Sequence, residues 1–206
     1  MKLEIQKIFR SLIVKKMRKR VKMPAPKTIF CNMCLGGVVS HDLGLRFDSP
    51  TVNLAIPANE FVSMVSDIHQ INNEITLKGD RGYPIGLLSG RYTILFIHYK
   101  TLEEAVDYWR RRSQRVNYDN PYMILVETAT CSYEDLERFD NLSYKNKIAL
   151  VHKEYPQIKC AKVINGYDGQ NKNGEILSYT SIFGKRMYDQ VDWVSFLELD
   201  NNSDAL

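Results

Sequence analysis

The sequence predicts an α/β fold, a layered α/β/α arrangement on a mostly parallel or mixed sheet, with a basic amphipathic helix at its N-terminus. Three observations carry that expectation. Short apolar runs alternate with amphipathic stretches along the chain, as strands and helices do in layered α/β domains. The run at 92–97 has the unbroken apolar character of a strand buried on both faces of a parallel sheet. Ten Lys and Arg residues crowd into positions 1–27, where Ile5, Ile8, Phe9 and Leu12 recur at helical spacing.

At 206 residues the chain is expected to form one domain with appendages, long enough for a sizeable core. Its 44% hydrophobic and 25% charged residues fit a soluble globular protein. The net charge of +4 is uneven: residues 1–27 hold ten Lys and Arg against one Glu, a local +9 that leaves −5 for the rest. The expected division is therefore a basic arm over 1–27, a single α/β domain over 28–200 and a frayed tail over 201–206. Four cysteines in a chain of this size do not make a disulfide framework. No apolar run is long enough to span a membrane, and residues 1–14 are too interrupted by charge for a signal peptide. A cytoplasmic protein with reduced thiols is expected.

In the arm, Lys7, Arg10, Lys15 and Lys16 fall largely away from the apolar stripe, and Arg18, Lys19, Arg20 and Lys22 follow before Pro24-Ala25-Pro26. Residues 1–23 can lie on an anionic membrane surface as a peripheral helix, or pack on the domain with a solvated charged face. Nucleic acid is disfavoured by the acidic body and by the lack of a recognisable motif.

Residues 27–31 read as a strand that meets Cys34, then Gly36 and Gly37, then a short helix over 38–43. Glycines after a cysteine allow a sharp turn, and the amides that follow open a helix N-terminus, which favours a thiolate or an anionic ligand. The other reading is a small buried cysteine beside a glycine turn. A second apolar run spans 52–56, and a helical pattern follows Pro57 and carries His69. A short strand is expected over 74–78, a turn over 79–82 and a loop over 83–86. Thr101 and Glu104 form a capping box for a helix to about 116, whose inner stripe is Leu102, Val106, Trp109 and Val116. Arg110, Arg111, Arg112 and Arg115 crowd its C-terminal half, where cations suit the helix dipole or can clamp a phosphate or carboxylate. Strands over 121–126, 147–151 and 160–164, a capped helix over 132–139, a polar loop over 168–174 and a last amphipathic helix over 191–199 complete the pattern.

Cys34, His98, Glu127, His152 and Asn165 each stand just after an apolar strand. If those strands run parallel, all five emerge on one sheet edge, where α/β domains bind ligands. Nucleophilic acyl transfer or hydrolysis would then use Cys34 as nucleophile, His98 or His152 as base, an acid such as Glu127 to orient the imidazole, and the Gly36-Gly37 amides for an oxyanion. Cys31-x-x-Cys34 lacks the second ligand pair of a zinc site. As a redox pair it would resemble a thioredoxin-type motif, in which the first cysteine opens a helix, whereas Cys31 reads as inside the strand with Cys34 at the turn. No P-loop, dinucleotide fingerprint or His-Glu-x-x-His helix is present. No metal and no cofactor are expected.

Residues 28–37, followed by Leu43-Gly44-Leu45-Arg46-Phe47-Asp48-Ser49-Pro50-Thr51, resemble the DUF1919 family, usually labelled exopolysaccharide biosynthesis proteins. Phe96-Ile97-His98-Tyr99-Lys100, Trp109-Arg110-Arg111-Arg112 and Arg115-Val116-Asn117 are similar to that family's middle block, and Phe139-Asp140-Asn141-Leu142 with Asn146-Lys147 to its later one. The resemblance runs from about residue 27 to 199 and implies a common site that includes Asn32, Cys34, Gly36, Gly37, Ser49, Pro50, His98, Tyr99, Trp109, Arg112, Arg115 and Asn117. Leu35 stands where the family carries a larger aromatic. The resemblance assigns these residues no roles. Taken with the strand-end residues, it leads to an expected transferase or hydrolase of surface polysaccharide assembly, acting on a sugar or lipid-linked glycan through Cys34 and His98. The alternative is a non-catalytic module that holds an anionic glycan or a glycosyltransferase partner at the inner membrane face.

Overall fold

A computed structural model describes residues 2–22 and 26–199; the expected tail over 201–206 lies outside the described residues. The framework is a four-stranded parallel sheet of β1 (Ile29–Cys31), β5 (Tyr122–Val126), β6 (Asn146–Val151) and β7 (Ala161–Val163), in that spatial order. Every strand of it pairs in parallel, with Ile29 opposite Tyr122, Tyr122 opposite Asn146 and Ala149 opposite Ala161. A separate antiparallel sheet holds β2 (Ile75–Asp80), β3 (Pro84–Leu88) and β4 (Tyr92–Leu95).

Alternate residues of β1, β5 and β6 feed two cores, which is why β1, β5 and residues 148–151 read as unbroken apolar runs. Phe30, Met123, Leu125, Ala149 and Val151 face a layer of α3 (Ala58–Ser66), α4 (Leu102–Ser113), α5 (Tyr133–Asp140) and the antiparallel sheet. Ile29, Cys31, Ile124, Val126 and Leu150 face α2 (Leu35–Leu43) and the C-terminal segment around Tyr188, Trp193 and Leu197. The helix starts follow sequence chemistry. Thr101 Oγ1 accepts the Glu104 amide at 3.2 Å, and Ser132 with Asp135 forms a complete capping box.

Several elements depart from the sequence reading. The 92–97 run does not enter the parallel sheet; β4 pairs antiparallel with β3, turned back through Ser89 and Gly90 at positive φ. The expected loop over 83–86 lies mostly within β3. Gly86 is required there, because a Cβ would sit 2.7 Å from Ile75 Cγ2 and 2.8 Å from Phe96 Cε2. Helix α2 begins at Leu35, so Gly36 and Gly37 lie inside its first turn and do not form a turn before it. A Cβ on Gly36 would meet Cys31 Cβ at 2.9 Å and one on Gly37 would meet Val52 Cγ1 at 3.0 Å, so both glycines serve close packing. The expected last helix shrinks to α6 (Trp193–Phe196).

Helix α1 (Lys2–Arg20) packs against the domain, through the polar residues Gln6 and Arg10 in its first half and through half-buried Met17 in its second. Arg10 is buried and donates to Asp42, to Asp189 at 2.6 Å and to the Tyr188 hydroxyl at 2.7 Å, while Gln6 reaches the Ser181 carbonyl at 3.0 Å. Burial works against the Asp42 charge, but the bonds from Tyr188 and Arg10 outweigh it and hold its carboxyl below the usual aspartate range. Among the described residues no helix is long and apolar enough to cross a membrane.

Candidate functional site

The carboxyl edge of the parallel sheet gathers polar residues from the loops after β1, β5 and β6. Glu127, one residue past β5, is buried, and both of its carboxylate oxygens are committed. Oε2 faces His152 Nδ1 at 2.8 Å and accepts the His152 amide at 2.9 Å; Oε1 accepts the Tyr155 hydroxyl at 2.9 Å. The Tyr167 hydroxyl donates to the Glu127 carbonyl from the loop after β7. Gly169, at φ 76°, lets that loop close on the imidazole, since a Cβ there would lie 2.6 Å from His152 Nδ1. His152 is thus held on one side by a carboxylate and remains part-exposed on the other.

A carboxylate on Nδ1 selects the tautomer with its proton there and leaves Nε2 as the unprotonated nitrogen. The same carboxylate stabilises the imidazolium that forms when Nε2 accepts a proton. Burial, followed by the bond to Glu127, pushes the Tyr155 phenol up to about 12, so it stays a donor. Tyr155, Tyr167 and Gly169 all come from loops and carry no strand-end signal in the sequence.

The structure brings Glu127 and His152 together but does not pair Cys34 with His98. Cys34 caps α2 while buried, with Sγ against the Leu54 carbonyl at 3.5 Å, and burial pushes its thiol up to about 11. Cys31 is buried more deeply and is pushed up to about 12. His98 is exposed, beyond β4 in the other sheet, and has no hydrogen bond among the described residues. Asn165 is bound at its backbone by Gln190.

The residues expected to bind substrate divide in two. Asn32 spends its amide on β5, with Nδ2 on the Val126 carbonyl at 2.9 Å and Oδ1 on the Val126 amide at 2.8 Å. Ser49 supports Thr51 Oγ1, which accepts the Cys31 amide, and Asn117 Oδ1 accepts the Asp119 amide in a local turn. These side chains hold the framework, as Gly36 and Gly37 do.

Tyr99, Arg112 and Arg115 instead converge beside an open cleft of about 240 Å³ that adds Arg46, Phe47, Tyr108 and Arg111. Arg112 is buried, donating through Nη1 to the Tyr99 hydroxyl at 2.8 Å and the Val52 carbonyl at 3.1 Å. Its guanidinium carbon lies 4.9 Å from the Tyr108 ring centroid and 5.7 Å from that of Phe47. Asp48 binds Arg46 at 2.6 Å and Arg115 at 3.2 Å, and Asp107 binds Arg111 at 2.8 Å. Arg112 has no carboxylate partner among the described residues, so the cleft is net cationic. Phe47 also lines a neighbouring cleft of about 560 Å³ that includes Lys7, His41, Tyr179 and Arg186.

The sequence profile described as "Domain of unknown function (DUF1919)" matches residues 4–198. The chain belongs to the DUF1919 family. The family region reaches back to residue 4, so α1 is part of the DUF1919 unit, whereas the motifs read from the sequence began near residue 27. An uncharacterized protein of Haemophilus influenzae (strain ATCC 51907 / DSM 11121 / KW20 / Rd) is 33% identical over 171 residues, 82% of each chain. Among the described residues of this DUF1919 chain, no three His, Cys, Asp or Glu side chains gather as a metal site requires.

Proposed function

We propose that this DUF1919 chain is a transferase or hydrolase of surface polysaccharide assembly, acting on a sugar or lipid-linked glycan through proton transfer at His152. The substrate class follows the label usually carried by the family. The observation that supports the chemistry is the contact of Glu127 with His152 Nδ1 at 2.8 Å, at the edge where parallel α/β sheets bind ligands. A hydroxyl of the acceptor sugar, or water, attacks an ester carbonyl. As the new C–O bond forms, Nε2 takes the hydroxyl proton and then returns it to the departing oxygen as the old C–O bond breaks. Glu127 positions the ring and balances the imidazolium. The buried Cys34 thiol has no part in this route.

The cationic cleft supports a second reading, a module that binds an anionic glycan or a glycosyltransferase without turnover. Guanidiniums beside Phe47 and Tyr108 suit a phosphate or carboxylate on a sugar ring. One experiment separates the two. His152→Asn, Glu127→Gln, Cys34→Ser and Arg111→Gln are introduced singly into the native cell, and surface glycans are compared by mass spectrometry. The enzyme reading expects His152→Asn and Glu127→Gln to remove a glycan substituent and Cys34→Ser to leave it. Unchanged glycans in His152→Asn, with altered ones in Arg111→Gln, would replace the enzyme reading with the binding module.

A further inference from the structure

Over residues 5–12 the packing of α1 runs opposite to that of an ordinary surface helix, before half-buried Met17 joins the core. Its polar residues Gln6 and Arg10 are 8% and 6% exposed, while Ile5, Ile8, Phe9 and Leu12 are 41%, 64%, 37% and 57% exposed. The Arg10 network with Asp42, Asp189 and Tyr188 fixes this rotation, because turning the apolar stripe inward would leave those carboxylates without their cation. The stripe is thus held outward by the fold.

A loop extends the stripe. Ile182 and Phe183 are 52% and 59% exposed, and the Phe183 ring meets the Phe9 ring edge-on at 5.5 Å. The loop is seated on the helix: Gln6 Nε2 donates to the Ser181 carbonyl, and a Cβ on Gly184 would fall 2.4 Å from the Arg10 amide nitrogen. Helix and loop therefore present one apolar surface. Beyond Leu12 the same helical face continues as Lys15, Lys16 and Lys19, at spacings of three, four and seven residues. None of these lysines has an ion pair among the described residues, whereas Lys7, Arg10 and Arg20 are paired with Glu4, Asp42 and Asp192.

We propose that this face docks on an anionic lipid bilayer, with α1 lying in the plane of the surface. Ile5, Ile8, Phe9, Leu12, Ile182 and Phe183 enter the boundary between headgroups and acyl chains. Lys15, Lys16 and Lys19 extend to lipid phosphates, their methylene stems covering apolar surface. Charge complementarity decides the occupant. A second copy meeting apolar half to apolar half would leave the lysine row without a counter-charge, whereas an anionic bilayer satisfies the apolar stripe and the lysines together. The inference is independent of the chemistry at His152, because no residue of that site takes part.

The test is co-sedimentation of the whole chain with vesicles of equal parts phosphatidylglycerol and phosphatidylcholine, and with phosphatidylcholine alone. Binding is expected to the anionic vesicles only and to weaken as salt rises. Replacing Lys15, Lys16 and Lys19 together by Gln should weaken it roughly 100-fold, from the usual contribution of a cation near such a surface. The double variant Ile8→Asp and Leu12→Asp should abolish it. All five positions are solvent-facing, so the variants should keep the parent melting temperature. Equal binding by the variants, or no binding of the parent chain to anionic vesicles, overturns the proposal. So does a parent dimer in sedimentation velocity that Ile8→Asp dissociates.

Discussion

Replacing Arg10 by Ala removes the cation that Asp42 and Asp189 share at the junction of α1, α2 and the C-terminal segment. The two carboxylates have side-chain exposures of 9% and 13%, so water cannot take over the role of the guanidinium. The Tyr188 hydroxyl also loses its donor and keeps only its own bond to Asp42, at 2.6 Å. Removing one partner from a buried pair costs about 3–5 kcal/mol, mostly through the uncompensated charge left behind. For a domain of this size that corresponds to a fall in melting temperature of roughly 6–20 °C. The assay is denaturant and thermal unfolding followed by tryptophan fluorescence, to which Trp193 reports locally through its Nε1 bond to the Tyr188 carbonyl. Limited trypsin digestion follows α1 separately, with faster cleavage expected among Lys15, Lys16 and Arg18. A loss below about 1 kcal/mol, with α1 still protected, would refute the argument that this network holds the helix in place.

Acid should release the same helix. The folded pKa of Asp42 is depressed, so its contribution is present above the ordinary aspartate range near ~4 and is lost as pH falls through the folded value. Asp42→Asn should flatten that limb of the stability profile, measured as unfolding midpoint against pH. At pH 7.5, iodoacetamide should label Cys34 roughly 300-fold more slowly than a free thiol, because burial raises the thiol to about 11. Rapid labelling in the folded protein would return Cys34 to the candidate nucleophiles. Gly36→Ala should destabilise by about 1–3 kcal/mol through overpacking against Cys31, read from chemical denaturation; a neutral effect would mean that α2 can lift off β1 at little cost.

The central parallel strands were legible because burial on both faces leaves an unbroken apolar signature, which β1 and β5 carry throughout and β6 over residues 148–151, while the edge strand β7 has an exposed Lys162 at its centre. Strand β4 gives the same signature for a different reason. Tyr92, Ile94 and Phe96 point into the core, while Leu95 in the outward register is half-covered by its bridge with Ala55. That bridge joins segments forty residues apart in sequence, and periodicity does not encode it. The same contact region supplies the Leu54 carbonyl that covers Cys34, so the spacing of cysteine and glycines resembled a reactive turn while the tertiary fold closed it. Glu127 and His152 were legible from their places after successive strands. The partners that fix them, Tyr155, Tyr167 and Gly169, arrive on loops whose path depends on long-range packing. The reversed facing of α1 was equally hidden: its stripe was plain, but the direction in which it points depends on Arg10 meeting Asp42 and Asp189.

The most direct test of the central claim is two-dimensional ¹H–¹⁵N NMR of the His152 imidazole in the folded chain. The account predicts that the neutral ring carries its proton on Nδ1, with Nε2 unprotonated, and that Glu127→Ala dissolves this preference into a mixture of tautomers. A wild-type ring protonated on Nε2, or a spectrum unchanged in Glu127→Ala, would contradict the assignment of His152 as the proton-transfer group.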